Sequence, residues 1–138
     1  MGEEKKNLDQ LNFPDIKYHE EHTWANVVGE EMLIGISDFA QDQLGEIVFV
    51  ELPGVGDSFD RGEIFGQAES VKSVSALYIP ISCEVSAVNE KLADSPGIIN
   101  TDPYGDGWMI VVKPRDLSEL KSLLSKEEYK DYLGEGNG

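Results

Sequence analysis

Apolar residues in this chain come in short runs that turn-forming residues keep interrupting, and this pattern limits the fold more than any other feature. Thr23-Trp24-Ala25-Asn26-Val27-Val28, then Gly29-Glu30-Glu31, then Met32-Leu33-Ile34-Gly35-Ile36 reads as strand, turn, strand. Glu46-Ile47-Val48-Phe49-Val50-Glu51-Leu52 is rich in β-branched and aromatic residues, and Pro53-Gly54 ends it. Ile64–Ser70, Ser75–Ile79, Glu84–Val88 and Trp108–Lys113 read as further strands, with Gly, Pro, Asn and Asp between them. Many short strands at close spacing point to a mainly β sandwich or flattened barrel. Ser37 suits the N-cap of a short helix through Leu44, stopped by Gly45. Near the C-terminus, Leu117, Leu120, Leu123 and Leu124 fall at helical spacing. Ser125-Lys126-Glu127-Glu128 has the form of a capping box opening a second short helix, with Tyr129, Tyr132 and Leu133 as its inward residues. Residues 1–14 read as a loose arm, 15–133 as one folded domain with two C-terminal helices, and 134–138 as a disordered tail.

Composition narrows the function. With 138 residues, 40% of them hydrophobic, the chain can bury a single core. Its 27 acids against 11 bases leave a net charge of −16, a field that repels phosphate and argues against nucleic acid and anionic membranes as partners. Cys83 is the only cysteine, which excludes an internal disulfide and a cysteine-rich zinc site. The N-terminus has neither an apolar signal core nor the Arg-rich, acid-poor character of a mitochondrial leader, and no apolar run approaches the roughly 20 residues that span a bilayer. A cytoplasmic, monomeric protein is the expectation. The acidity is uneven, with eleven acids and one base in residues 18–66. Between Lys17 and Lys91 the only cations are Arg61 and Lys72.

Motifs for catalysis are weak. His19-Glu20-Glu21-His22 is one residue short of the inverted zincin pattern and precedes a strand, so a solvated polar segment is the better reading and no metal site is expected. Gly54-x-Gly56 and Gly62-x-x-x-Gly66 match neither phosphate-loop fingerprint and lie among acids; they read as turn glycines. Cys83 has no base near it in sequence and reads as a buried thiol. Nothing reads as an enzyme active site. What remains is Glu69-Ser70-Val71-Lys72-Ser73, which places Lys72 at the tip of a hairpin between two strands. A flexible four-carbon stem packs poorly there but serves well as an attachment point for a prosthetic group.

From about Tyr18 to Leu133 the chain resembles the H-protein family of the glycine cleavage system, whose members are lipoyl carriers. The shared words occur in one order: Leu44-Gly45-Glu46-Ile47-Val48-Phe49-Val50-Glu51-Leu52-Pro53, Glu69-Ser70-Val71-Lys72, Pro80-Ile81-Ser82, Val88-Asn89, Ser95-Pro96, Ile99-Asn100 and Pro103-Tyr104-Gly105-Asp106-Gly107-Trp108. The resemblance implies a lipoyl/biotinyl-type barrel-sandwich hybrid with lipoate in amide linkage to Lys72. Biotin carriers place their lysine between two methionines, whereas Val71 and Ser73 flank Lys72. The cofactor then carries the chemistry and the protein supplies tethering and docking. In glycine cleavage, the implied partners are a lipoate ligase or lipoyltransferase, a pyridoxal-phosphate glycine decarboxylase, a folate-dependent aminomethyltransferase and dihydrolipoyl dehydrogenase.

The chain departs from the family at four positions that the resemblance assigns to the cleft receiving the arm. Thr23 replaces a glutamate, Ala76 an aspartate, Phe39 a common histidine, and Cys83 the glycine of a Pro-x-Ser-Gly turn. In the family the two acids help hold a cationic aminomethyl amine, each such contact being worth about 1.5–3 kcal/mol. Their loss favours an H-like lipoate-binding protein of sulfur oxidation, serving a heterodisulfide-reductase-like complex. The alternative is the glycine cleavage carrier itself, with Glu20 or Glu21 compensating. An unmodified binding module of the same fold fits the intact Glu69–Lys72 tip least well.

Overall fold

The computed structural model describes residues 16–137, so the arm expected over residues 1–14 lies outside it. Alternating patterns become two antiparallel sheets. The larger has six strands in the order β1 (Ile16–Tyr18), β2 (Thr23–Val28), β3 (Glu31–Ile36), β9 (Ile110–Pro114), β8 (Cys83–Val88) and β5 (Ser58–Phe59). The smaller has three, in the order β4 (Ile47–Glu51), β6 (Ile64–Ser70) and β7 (Val74–Tyr78). This is the mainly β barrel-sandwich expected. One core joins both sheets: Ala25, Ile34 and Ile36 from the larger and Phe65, Ala68 and Leu77 from the smaller are all buried, with Ile79, Ile81, Leu92 and Ile99. A second, aromatic core of Ile16, Tyr18, Trp24 and Tyr129 fastens the C-terminal helix to β1 and β2. Its rings stack closely, Tyr18 on Tyr129 with centroids 4.3 Å apart.

Local signals set the helix next to the site. The helix α1 (Asp38–Leu44) begins where the Ser37 hydroxyl accepts from the Ala40 amide and ends at Gly45, whose φ of 81° is open to glycine at little cost. Four elements have no clear sequence signal: β1, β5, and the single-turn helices α2 (Lys91–Asp94) and α3 (Ile98–Thr101). They are short, and tertiary packing decides them.

The C-terminus differs in part from expectation. The leucine stripe forms a 3-10 helix over Leu117–Ser122, with Leu117 exposed and Leu123 buried just beyond it. Ser125 and Glu128 do make the reciprocal capping box, at 2.9 and 3.1 Å. The helix it opens, α4, runs Lys126–Asn137 and so includes residues 134–137 of the expected tail. Tyr129 faces inward, but Tyr132, expected inside, is 45% exposed at the rim of the same face, where its hydroxyl donates to the Glu20 carbonyl at 3.3 Å.

Candidate carrier site

The turn Val71-Lys72-Ser73 joins β6 to β7, and Ser70 bends it. The buried Ser70 hydroxyl accepts from the Lys72 amide at 3.2 Å and the Ser73 amide at 3.1 Å, while the Ser70 amide donates to the Ser73 carbonyl at 2.8 Å. A side-chain oxygen that satisfies two turn amides holds the tip in one shape. The tip is also anchored from the side, because the Val71 amide donates to the Glu46 carbonyl at 3.1 Å. Asn100 on α3 fixes that neighbouring loop: its carbonyl oxygen accepts from the Ile47 amide at 3.0 Å, and its amide group donates to the Gly45 carbonyl at 2.8 Å and to Gln41 at 2.9 Å. A Cβ on Gly45 would stand 3.5 Å from Lys72 Cε, so the lysine stem passes over this glycine. Lys72 itself is exposed, and among the described residues its amine enters no ion pair.

Beside the tip, a cleft of about 400 Å³ separates the β7 edge from α1. Residues 73–77 line one wall; Phe39, Ala40 and Leu44 line the other, and Glu21 and His22 complete the lining. His22 takes φ 78°, a left-handed conformation that costs a residue with a side chain of order 1 kcal/mol or more. It is held there by its ring, which packs on Phe39 at 5.0 Å and meets the Tyr129 hydroxyl through Nδ1 at 2.8 Å. Ser37 Oγ is fully buried, accepts from the Ala40 amide and shares a hydrogen bond of 2.7 Å with Tyr129 Oη. Tyr129, whose pKa burial pushes up to about 12, bonds in turn to His22 Nδ1. Burial holds the His22 pKa below its ordinary value.

The residues singled out in the sequence separate into three places. Glu69, Ser70, Val71, Lys72 and Ser73 form the hairpin tip. Phe39 and Ala76 face the cleft from its two sides. Thr23 is buried and donates its hydroxyl to the Tyr78 carbonyl at 2.8 Å, and it is not among the lining residues. Cys83 is fully buried on β8 between Phe59 and Pro114, away from the cleft, and burial raises its thiol pKa to about 12. His22, Tyr129 and Asn100 carry the site's geometry without having been read as doing so. Their partners lie 53 to 107 residues away, beyond any local pattern.

The family model for the glycine cleavage H-protein matches residues 16–136. The chain belongs to this family. Similar relatives include the glycine cleavage system H proteins of Halalkalibacterium halodurans, 53% identical over 125 residues covering 90% of this chain and 98% of that one, and of Carboxydothermus hydrogenoformans, 53% identical over 121 residues covering 88% and 93%. The crystal structure of a glycine cleavage system H protein from Mycobacterium marinum superposes with a TM-score of 0.80 at 36% identity, covering 88% of this chain and 98% of that one. H proteins are carriers and not enzymes, and they bear lipoate covalently on a lysine. The tip fits such a group: it presents an amine that enters no ion pair among the described residues, on a turn held by Ser70, with a cleft of mixed apolar and polar lining alongside. Among the described residues, no helix is long and apolar enough to cross a membrane.

Proposed function

We propose that this chain is the lipoyl carrier of a glycine cleavage system, with lipoate in amide linkage to Lys72, and that it works as a cytoplasmic monomer between a decarboxylase, an aminomethyltransferase and dihydrolipoyl dehydrogenase. The observation that carries this is the exposed Lys72, on a turn whose amides the Ser70 hydroxyl satisfies, beside the cleft. Lipoate supplies a dithiolane that opens to a dithiol and holds cargo on sulfur. The protein supplies position. Ser70 and the Glu46 carbonyl hold the root of the arm still, which raises the local concentration of its far end at any enzyme docked here. Phe39, Leu44 and Leu77 give the cleft apolar surface, and Glu21 places a carboxylate among its lining residues.

The sulfur-oxidation reading, favoured in the sequence by the loss of two acids, finds no support among the relatives, and neither does a heterodisulfide-reductase-like partner. Its physical motive weakens as well. Thr23 is turned to the Tyr78 carbonyl and away from the cleft wall, so only Ala76 marks a lost acid there, and Glu21 stands among the lining residues. Incubation of the unmodified protein with lipoate, ATP and a lipoate ligase should add one lipoyl mass to the native chain and none to Lys72→Ala. The loaded protein should then support glycine–bicarbonate exchange with a glycine decarboxylase. Loading without exchange would overturn the glycine cleavage assignment, and unchanged mass would overturn the assignment of Lys72.

A further inference from the structure

Strand β4 breaks the alternation that would bury Phe49. Ile47 pairs with Ser70 and Phe49 with the adjacent Glu69, so Val48 is an extra residue in a β-bulge. Ile47 points into the core at 2% exposure, yet Val48 and Phe49 are 45% and 51% exposed. Without the bulge Phe49 would share the inward face with Ile47. Directly across the three-stranded sheet, Phe49 faces Glu69, and Glu69 faces Val74, itself 57% exposed. Val71, 68% exposed, extends this patch to the tip. Apolar side chains in such a group normally have a partner to cover them. Glu46, Glu51 and Glu69 lie exposed on or beside the patch, which calls for basic groups on that partner.

We propose that this bulge-built row, Phe49–Glu69–Val74 with Val48 and Val71, is the docking surface for the enzyme that acylates Lys72, an enzyme whose active-site mouth is rimmed by apolar and basic side chains. The inference rests on the assignment of Lys72 made above. Enzymes that act on the far end of a long arm need not touch its root. The acylating enzyme must: the neutral Lys72 amine attacks the carbonyl carbon of lipoyl adenylate, formed from lipoate and ATP with release of pyrophosphate. The N–C bond forms, the C–O bond to AMP breaks, AMP leaves, and the nitrogen releases one proton to solvent. Attack requires the reacting atoms within about 3.5 Å, so the ligase must close around the turn and reach the exposed side chains next to it.

Initial rates of loading by a lipoate ligase test this, with the unmodified full-length chain as varied substrate. Phe49→Ser and Val48→Ser should each raise KM by about five- to tenfold with kcat within twofold of native. Added salt should raise KM for the native chain and do so less for Glu69→Gln. Val28→Ser and Val55→Ser, equally exposed but remote from the tip, should load like native. Thermal melts would confirm that each variant is folded. Native KM in all three patch variants would overturn the docking surface while leaving Lys72 as the attachment site. So would a fall confined to kcat, or a native dimer in solution that Phe49→Ser dissolves, since the face would then belong to a second copy. No loading of the native chain at all would remove the assignment of Lys72 on which the inference stands.

Discussion

Asn100→Ala should loosen the root of the arm from beneath without touching Lys72. The side chain makes three hydrogen bonds, to the Ile47 amide, the Gly45 carbonyl and Gln41, at 2.8–3.0 Å. At about 1 kcal/mol each, with the partial exposure of Asn100 and the stranding of an amide at the buried start of β4 pulling in opposite directions, the loss is about 2–3 kcal/mol. For a domain of this size each kcal/mol moves the melting temperature by about 3–5 °C, so a fall of about 6–15 °C is expected. The effect should also be local. Glu46, whose carbonyl anchors the Val71 amide, lies between two of the residues that Asn100 holds. Amide exchange should therefore show Val71 losing protection by a larger factor than Leu77, which reports on the core. Asn100→Asp keeps an acceptor for the Ile47 amide but sets a carboxylate against two oxygens, so it should be no more stable than alanine at neutral pH. A fall below 3 °C, or equal loss of protection at Val71 and Leu77, would refute the anchoring route.

Two further outcomes follow from the buried titratable groups. Burial lowers the pKa of His22, and likewise of His19, relative to the unfolded chain, so the unfolded state binds the extra protons. The associated stability is present above about pH 6.5 and is lost as pH falls through the folded values. The melting temperature should drop over that window, and the His22 ring should titrate below 6.5 by NMR; a value at or above 6.5 would contradict the desolvation of its ring. Cys83, fully buried with a thiol pKa near 12, should resist a disulfide reagent at pH 8 in the folded protein and react fully once unfolded. Rapid labelling of the native chain would refute its placement.

What could be read from the chain, and what could not, divides by the range of the interaction. Turn chemistry and β-branched runs locate β6, β7 and the lysine between them, and the Ser37 cap and Gly45 stop locate α1, because each signal lies within a few residues of its effect. The inclination toward sulfur, which the relatives do not support, rested on a different kind of step. It treated Thr23 as a side chain facing the cleft, and strand alternation cannot say what a buried face meets; here it meets the Tyr78 carbonyl. Phe49 shows the same limit more sharply. Counting by twos from Ile47 buries it, and only the pairing of β4 with β6 reveals the extra residue that reverses its side. A bulge that turns Phe49 outward forgoes its burial in the core, at about 25 cal/mol for each Å² left in water. The rest of the core offsets that loss, and a partner that covers the exposed face would recover it.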